Sequence, residues 1–318
     1  MRVIIAAAAL LLNTSCLVAG TKPDAQQILA TAQQQDDIFA DQGTPLELQI
    51  DFVAQLNVPT TGHLTIRWAA KNRWWTKVSM GGFEQIRIKN GEWSYTARNL
   101  GFTPIRIQDV MNLTHLTDDS AYVGKKAKQR TENGVPITCV HAVREDYKQD
   151  EREICVDPAS TDILSQVWEW QQDQKRRELY SDYFQFEGHR YPRKLELEEN
   201  GSRVIKAQVT SLIAAPFDEA LLSPPKGAIE RRYCPGMKRA AVVKQMNLPP
   251  IGSNSDNMVA LTILTDGTVG DIQLLARGGK KLDDATITAL KQWKFKPAMC
   301  GTDPVVSDIE IGTSVRHY

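Results

Sequence analysis

From Leu46 to Ile213 the sequence keeps a period of two, run after run, with turn residues between the runs. The first, LELQIDFVAQL, places Leu46, Leu48, Ile50 and Phe52 on one face and polar residues between them, the pattern of a half-buried strand. HLTIRWAAK, RWWTKVSM, FEQIRIKNGEWSYTAR, GVPITCVHAVRE, KLELEE and RVIKAQVTSLI repeat it. Asn90-Gly91 and Asn200-Gly201 fall between runs, where both central residues of a two-residue hairpin need positive φ. A short helical or loop stretch around Ile107 to Leu116 interrupts the series. Strands joined by tight turns make an antiparallel sheet, and one of this length must curl, because strands twist. Its apolar concave face then takes helices or a ligand. One helix precedes it: Ile28, Leu29, Ala32, Ile38 and Phe39 recur at helical spacing within 21–40, with Asp24 as the cap.

Pro216, Pro224, Pro225 and Pro235 end the strand rhythm, which places a linker at 218–234 between domains at 21–217 and 235–318. In the second domain, MVALTILTDGTVGDIQLLA reads as two strands around Asp266-Gly267, with Val259, Leu261 and Ile263 on one face. KKLDDATITALKQWKF reads as a helix through Leu282, Ala285, Thr286, Ala289, Leu290 and Trp293, stopped by Pro297. PVVSDIEIGTSV closes with a strand. The fold class is α+β: an N-terminal curled antiparallel sheet with a helix, then a small strand-strand-helix-strand domain.

Lys plus Arg equals Asp plus Glu at 38 each, so no net field draws the chain to nucleic acid, and no nucleic-acid partner is expected. Residues 1–20, MRVIIAAAALLLNTSCLVAG, set Arg2 before an apolar run and end in small residues, as an export signal does. Val18 and Gly20 suit cleavage before Thr21. Lipidation of Cys16 competes, against Asn13 at the position where a lipoprotein signal carries Leu, and retention as an anchor is the third reading. Four further cysteines suit disulfides in an exported chain. Cys139 and Cys155 sit in neighbouring strand-like runs and can bridge across them, leaving Cys234 to Cys300. Periplasm is the expected compartment.

The leading helix and unbroken meander, most recognisably RWWTKVSMGGFEQIRIKNGEWSY, resemble the half-barrel of the LolA and LppX type, a periplasmic lipid or lipoprotein carrier architecture. The C-terminal segment resembles the TonB C-terminal domain family. It supplies a proline lead at Pro249 and Pro250, then Asp266, Gly267 and Val269, then Gly279, Leu282 and Asp283. Trp293, Phe295, Pro297 and Ala298 follow, with Gly301, Pro304 and Val305 at the end. The resemblance implies a rigid module that binds an envelope or outer-membrane protein, in the family's best-known members by adding an extended peptide to a sheet edge. An energy-transducing TonB also has a membrane anchor with a functional histidine and a long proline-rich spacer. Here the first histidine is His63 and a β domain fills the middle, so coupling to an inner-membrane motor is not expected.

No H-E-x-x-H, G-x-S-x-G or phosphate-loop pattern occurs, and five scattered histidines read as surface or strand residues. Neither an enzyme nor a metal or other cofactor is expected. Asp283 and Asp284, neighbours on a helix, point about 100° apart and serve its dipole rather than a shared substrate. His189, Arg190, Tyr191 and Arg193 form a cationic aromatic run that reads as a protected edge strand, or as a contact for a lipid headgroup or acidic partner. Trp68, Trp74, Trp75 and Trp93 read as core, with a cavity lining as the alternative. The functional expectation is an exported envelope adaptor acting through its C-terminal module, or a carrier of a lipid or acyl ligand.

Overall fold

The computed structural model describes residues 24–40, 43–100, 103–116, 122–145, 148–171, 174–234, 236–245 and 255–315. The segment 1–20 with Cys16, as well as Pro235, Pro249, Pro250 and His317, lies outside the described residues. The described chain is mostly sheet with three α-helices: α1 (Ala25–Asp36), α2 (Ile105–Leu113) and α3 (Lys280–Leu290). None of these is long and apolar enough to cross a membrane.

Thirteen strands form one open antiparallel sheet. They are β1 (Leu46–Gln55), β2 (Pro59–Ala70), β3 (Arg73–Met80), β4 (Phe83–Asn90), β5 (Trp93–Arg98), β6 (Tyr122–Glu132), β7 (Val135–Arg144), β8 (Glu151–Val156), β9 (Ile163–Gln171), β10 (Gln174–Phe186), β11 (His189–Glu199), β12 (Ser202–Ala214) and β13 (Ile229–Arg232). In space β13, β5, β4, β3, β2 and β1 follow one another, then β12 back down to β6. The chain therefore has to travel from β5, near one end, to β6 at the other, and the segment bearing α2 makes that crossing. Helix α1 touches β6, β7 and β11 although three strands separate β7 from β11. Strands lie about 4.8 Å apart and a helix is about 10 Å across, so the sheet must wrap around α1. The core fills that concavity: Leu29, Ile107, Leu113, Leu48, Ile50, Leu64, Tyr191 and Leu195 are fully buried. Each such side chain contributes about 1.5–3 kcal/mol.

Local chemistry fixes the pieces. Asp24 Oδ1 caps α1 by accepting from the Gln26 amide at 2.9 Å, and Gly124 lets the helix start sit on β6. A Cβ there would lie 2.6 Å from the Ala25 carbonyl oxygen. Asn200 and Gly201 both take positive φ (50° and 78°), as a type I′ turn requires. At Asn90-Gly91 the expectation is off by one residue. Asn90 pairs with Trp93, so the loop is Gly91-Glu92, and of Asn90 and Gly91 the glycine alone has positive φ. Cys139 and Cys155 face each other across β7 and β8 and are bridged.

Two sequence expectations need correction. Strand β11 lies between β10 and β12, but its register with β12 covers Lys194 to Glu199, so among the described residues the run from His189 to Arg193 is paired on the β10 side alone; what differs from expectation is where its side chains go. Arg190 forks onto Asp162 at 2.6 and 2.7 Å, Tyr191 is buried and donates to the Thr114 carbonyl at 2.7 Å, and Arg193 stacks 4.3 Å from the Phe184 ring centre. Asp162 thus takes the charge of Arg190, while Arg193 stays exposed over Phe184. Segment 218–234, expected as a linker, carries a 3-10 turn at Glu219–Leu222 and strand β13, which extends the large sheet along β5.

The C-terminal part holds β14 (Ala241–Lys244), β15 (Ser255–Ile263), β16 (Val269–Ala276), α3, β17 (Lys294–Lys296), β18 (Ala298–Cys300), β19 (Asp303–Val305) and β20 (Ser307–Val315). Its central sheet runs β16, β15, β20. Three short strands thus interrupt the expected path from helix to final strand. The helix ends at Leu290, not at Pro297: Lys294–Lys296 pairs with β14, and this pairing takes Trp293 and Phe295 out of helical register.

Candidate functional site

Two places have the geometry of a binding site: a strand edge in the C-terminal module and a cleft on the concave face of the large sheet. The module is rigidified by the residues its sequence motif singles out. Gly267 turns the chain with φ 78°, and the Asp266 carboxylate accepts from the Thr268 amide at 2.8 Å and its hydroxyl at 2.6 Å. Those bonds hold the Asp266 pKa below the usual carboxylate range. The Gly267 carbonyl accepts from the Phe295 amide at 2.9 Å, and a Cβ on Gly267 would stand 1.9 Å from the Phe295 oxygen. The turn and the Trp-x-Phe strand are therefore one unit, although 28 positions part Gly267 from Phe295. Val269, Trp293 and Phe295 pack with Val259, Leu261, Ile263 and Leu290.

Asp283 is the polar keystone. Its buried carboxylate accepts from the Gly278 amide at 3.0 Å, from Asn257 Nδ2 at 3.2 Å and from Arg277 Nε at 3.3 Å. Gly279 precedes α3 with φ 95°, and Leu282 is buried beside it. Asp284 points out to Lys280 at 2.7 Å, so the two adjacent carboxylates part company. Gly301 turns β18 into β19 with φ 63°, Pro304 pairs with Met299, and Val305 is buried. Pro297 is half-buried between β17 and β18. Cys300 is bonded to Cys234, which ties the module to the end of β13.

These contacts set the module's edges. Strand β16 is interrupted by two register shifts against β15, whereas β20 pairs with β15 over nine consecutive residues without one. Among the described residues β20 pairs with no other strand. Its sequence SDIEIGTSV has no proline and no lysine, the residues that most often block an edge. Ion pairs seat the module on the large sheet: Arg98 of β5 against Asp271 of β16, and Arg231 of β13 against Asp308 of β20 at 2.9 and 3.0 Å, with Thr262 at 3.0 Å.

The cleft lies over β2, β3 and β4 beside α2. A cavity of about 490 Å³ is lined by Phe39, Leu64, Ile66, Trp68, Trp74 and Leu116, with Asp36 and Arg87 among its polar residues. Trp74, Arg87, Met111 and Asn112 also line an adjoining cavity of about 350 Å³, closed on its far side by Arg231, Gln273 and Asp308. Trp68 is a buried core residue and Trp74 packs against the core, and both also border the cavity, while Trp93 packs under Arg232 and is partly exposed. Asp36, 4% exposed, ends α1 with neither carboxylate oxygen at hydrogen-bonding geometry to a donor. Burial pushes its pKa up to about 8, with the Ile163 amide and Arg190 pulling down and Asp162 pushing up. A larger, more open groove of about 950 Å³ has Phe52, Met80, Phe83 and Ala207 in its lining beside Asp51 and His63; there His63 meets Asp51 at 2.7 Å and Thr65 at 3.1 Å.

Residues 252–313 match the family model of the Gram-negative bacterial TonB protein C-terminal. No curated protein sequence matches the chain. Among solved structures, a LolA superfamily protein from Nitrosomonas europaea aligns at 9% identity and TM-score 0.43, over 63% of this chain and 97% of its own. An outer membrane lipoprotein-sorting protein domain from Vibrio parahaemolyticus aligns at 8% and 0.43, over 62% and 94%. A protein from Desulfovibrio piger aligns at 11% and 0.45, over 63% and 98%.

Proposed function

We propose that this chain, whose residues 252–313 match the TonB C-terminal family, is an exported envelope protein that binds a partner protein along the free edge of β20. The observation that carries the reading is that edge: nine residues in unbroken register, unpaired on their outer side among the described residues, in a module braced by the turn at Gly267 and the carboxylate of Asp283. An extended segment added there gains a ladder of main-chain hydrogen bonds, and alternate side chains supply selectivity. The disulfides suit an oxidising compartment such as the periplasm. The test is a photo-crosslinking amino acid at Glu310 of β20, with Lys280 on α3 as the control, expressed in a Gram-negative envelope. A discrete adduct from position 310 and none from 280 supports the reading; equal adducts, or none at 310, count against it.

A second reading is favoured by the cleft. A cavity of about 490 Å³, with two tryptophans, a phenylalanine and aliphatic residues on one part of its wall and charged residues such as Lys71 and Arg87 on another, falls within the ~300–1,000 Å³ typical of small-molecule sites. It suits a ligand with an apolar chain and a polar end, which makes the same protein a carrier of a lipid or acyl ligand. Ligand that co-purifies and is lost on washing with detergent is the expected sign.

A further inference from the structure

Phe39, Leu64, Ile66, Trp68, Trp74 and Leu116 form the apolar part of the cleft's wall; of the charged residues beside them, Asp37 and Lys71 have partners of their own, and Arg87 projects from the sheet. Arg87 lies on the concave face because it pairs with Thr76 of β3, whose side chain is buried on that face. Its side chain is reached by solvent although protein surrounds it, which is the situation of a group projecting into a cavity. The Trp74 ring stacks with its centre 5.5 Å from Arg87 Cζ and leaves the guanidinium edge open.

Three arginines line this region, and two are spoken for. Arg98 is held by Asp271 and Thr103, and Arg231 by Asp308 and Thr262. Arg87 has no ion pair or hydrogen bond with any described residue. The surrounding protein and the charge of Arg231 both press its pKa down, although solvent still reaches the side chain. Asp36 lines the same cavity but forms no ion pair with it, and its raised pKa leaves it largely protonated at neutral pH. A guanidinium in such surroundings favours a planar or tetrahedral oxyanion that it can meet with two donors.

We propose that Arg87 anchors the anionic head, carboxylate or phosphate, of a single-chain amphiphile whose apolar portion lies against Phe39, Ile66 and Trp68. The inference rests on the second reading above and assigns its ligand a charge and an anchoring residue. Because Arg87 lines both cavities, a head held there sits where the module's Gln273 and Asp308 close the second one.

The experiment is calorimetric titration of the delipidated full chain with decanoate, decyl phosphate and uncharged decanol, each below its aggregation limit. The two anions are expected to bind at least about tenfold more tightly than decanol, with that preference weakening in salt. R87Q is expected to bring both anions to the decanol level while decanol binding stays unchanged; R87K keeps part of the preference. Tighter decanoate points to a fatty acid and tighter decyl phosphate to a lysophospholipid, and either supports the proposal. Equal binding of all three by the unaltered protein, or an anion preference that survives R87Q, overturns the role of Arg87 and leaves the carrier reading standing. Binding of none of the three overturns the carrier reading and the proposal together. Since the Trp74 ring is the described side chain that Arg87 stacks on, R87Q is expected to fold with little change in thermal stability, which separates lost binding from lost structure.

Discussion

Replacing Asp36 by Asn should stabilise the protein at neutral and alkaline pH and leave it unchanged in acid. Asp36 ends α1 at 4% exposure, and burial pushes its pKa up to about 8 against the pull of the Ile163 amide and Arg190. In the unfolded chain the same group titrates near ~3.9. An acid with a raised folded pKa holds its proton more tightly when folded. Stability is therefore whole below the unfolded value, falls as pH rises from about 4 to about 8, and levels off above. Between ~3.9 and pH 7 lie about three pK units, each worth about 1.4 kcal/mol, so the cost at neutral pH is about 4 kcal/mol. Asn matches the shape and carries no charge, so D36N recovers about that amount at pH 7 and about nothing at pH 4. Urea denaturation of both proteins from pH 4 to 9, disulfides intact, reads the difference directly. Parallel curves across that range, or a variant less stable at pH 8, refute the reasoning, for they would mean that Asp36 is solvated or paired when ionised.

Two further outcomes follow from the module. Gly267→Ala adds a Cβ 1.9 Å from the Phe295 oxygen at φ 78°, and should cost about 3 kcal/mol or more, seen as early proteolysis of 255–315 while the large sheet survives. Cys234→Ser with Cys300→Ser opens a loop of sequence separation 66, for which chain entropy gives about 4 kcal/mol; an unchanged unfolding midpoint would contradict it.

How much of this was legible in the sequence depends on which residue is asked about. The inward row Leu46, Leu48, Ile50 and Phe52 and the turn at Asn200-Gly201 follow from alternation and φ demands, which are local. The Asp266-Gly267 motif was legible as well, although its reason, a backbone pressed against Phe295, is visible only in three dimensions. Arg87 was not. Flanked by Ile86 and Ile88, it reads as a solvent-facing residue between core positions. Period two reports which residues share a face, not which face is enclosed. Here Ile88 is buried on the far side, where the Glu219–Leu222 turn meets β4, and Arg87 takes the concave side. Strand β13 is four residues with no period long enough to read, and its pairing with β5 depends on where the sheet ends. Trp293 and Phe295 fit a helical spacing continued from Leu290, and only the partner strand β14 shows that the helix has stopped.

The central claim is that β20 presents an open edge for a partner strand, and residue-resolved hydrogen exchange along Ser307–Val315 tests it most directly. In the purified protein, amides that donate to β15 should exchange slowly and those between them quickly, in alternation. On adding solubilised envelope the fast set should slow by at least about tenfold while β15 stays as it was. Uniformly slow exchange in the purified protein would mean that the edge is already covered and would contradict the account, as would a fast set that the envelope leaves unprotected.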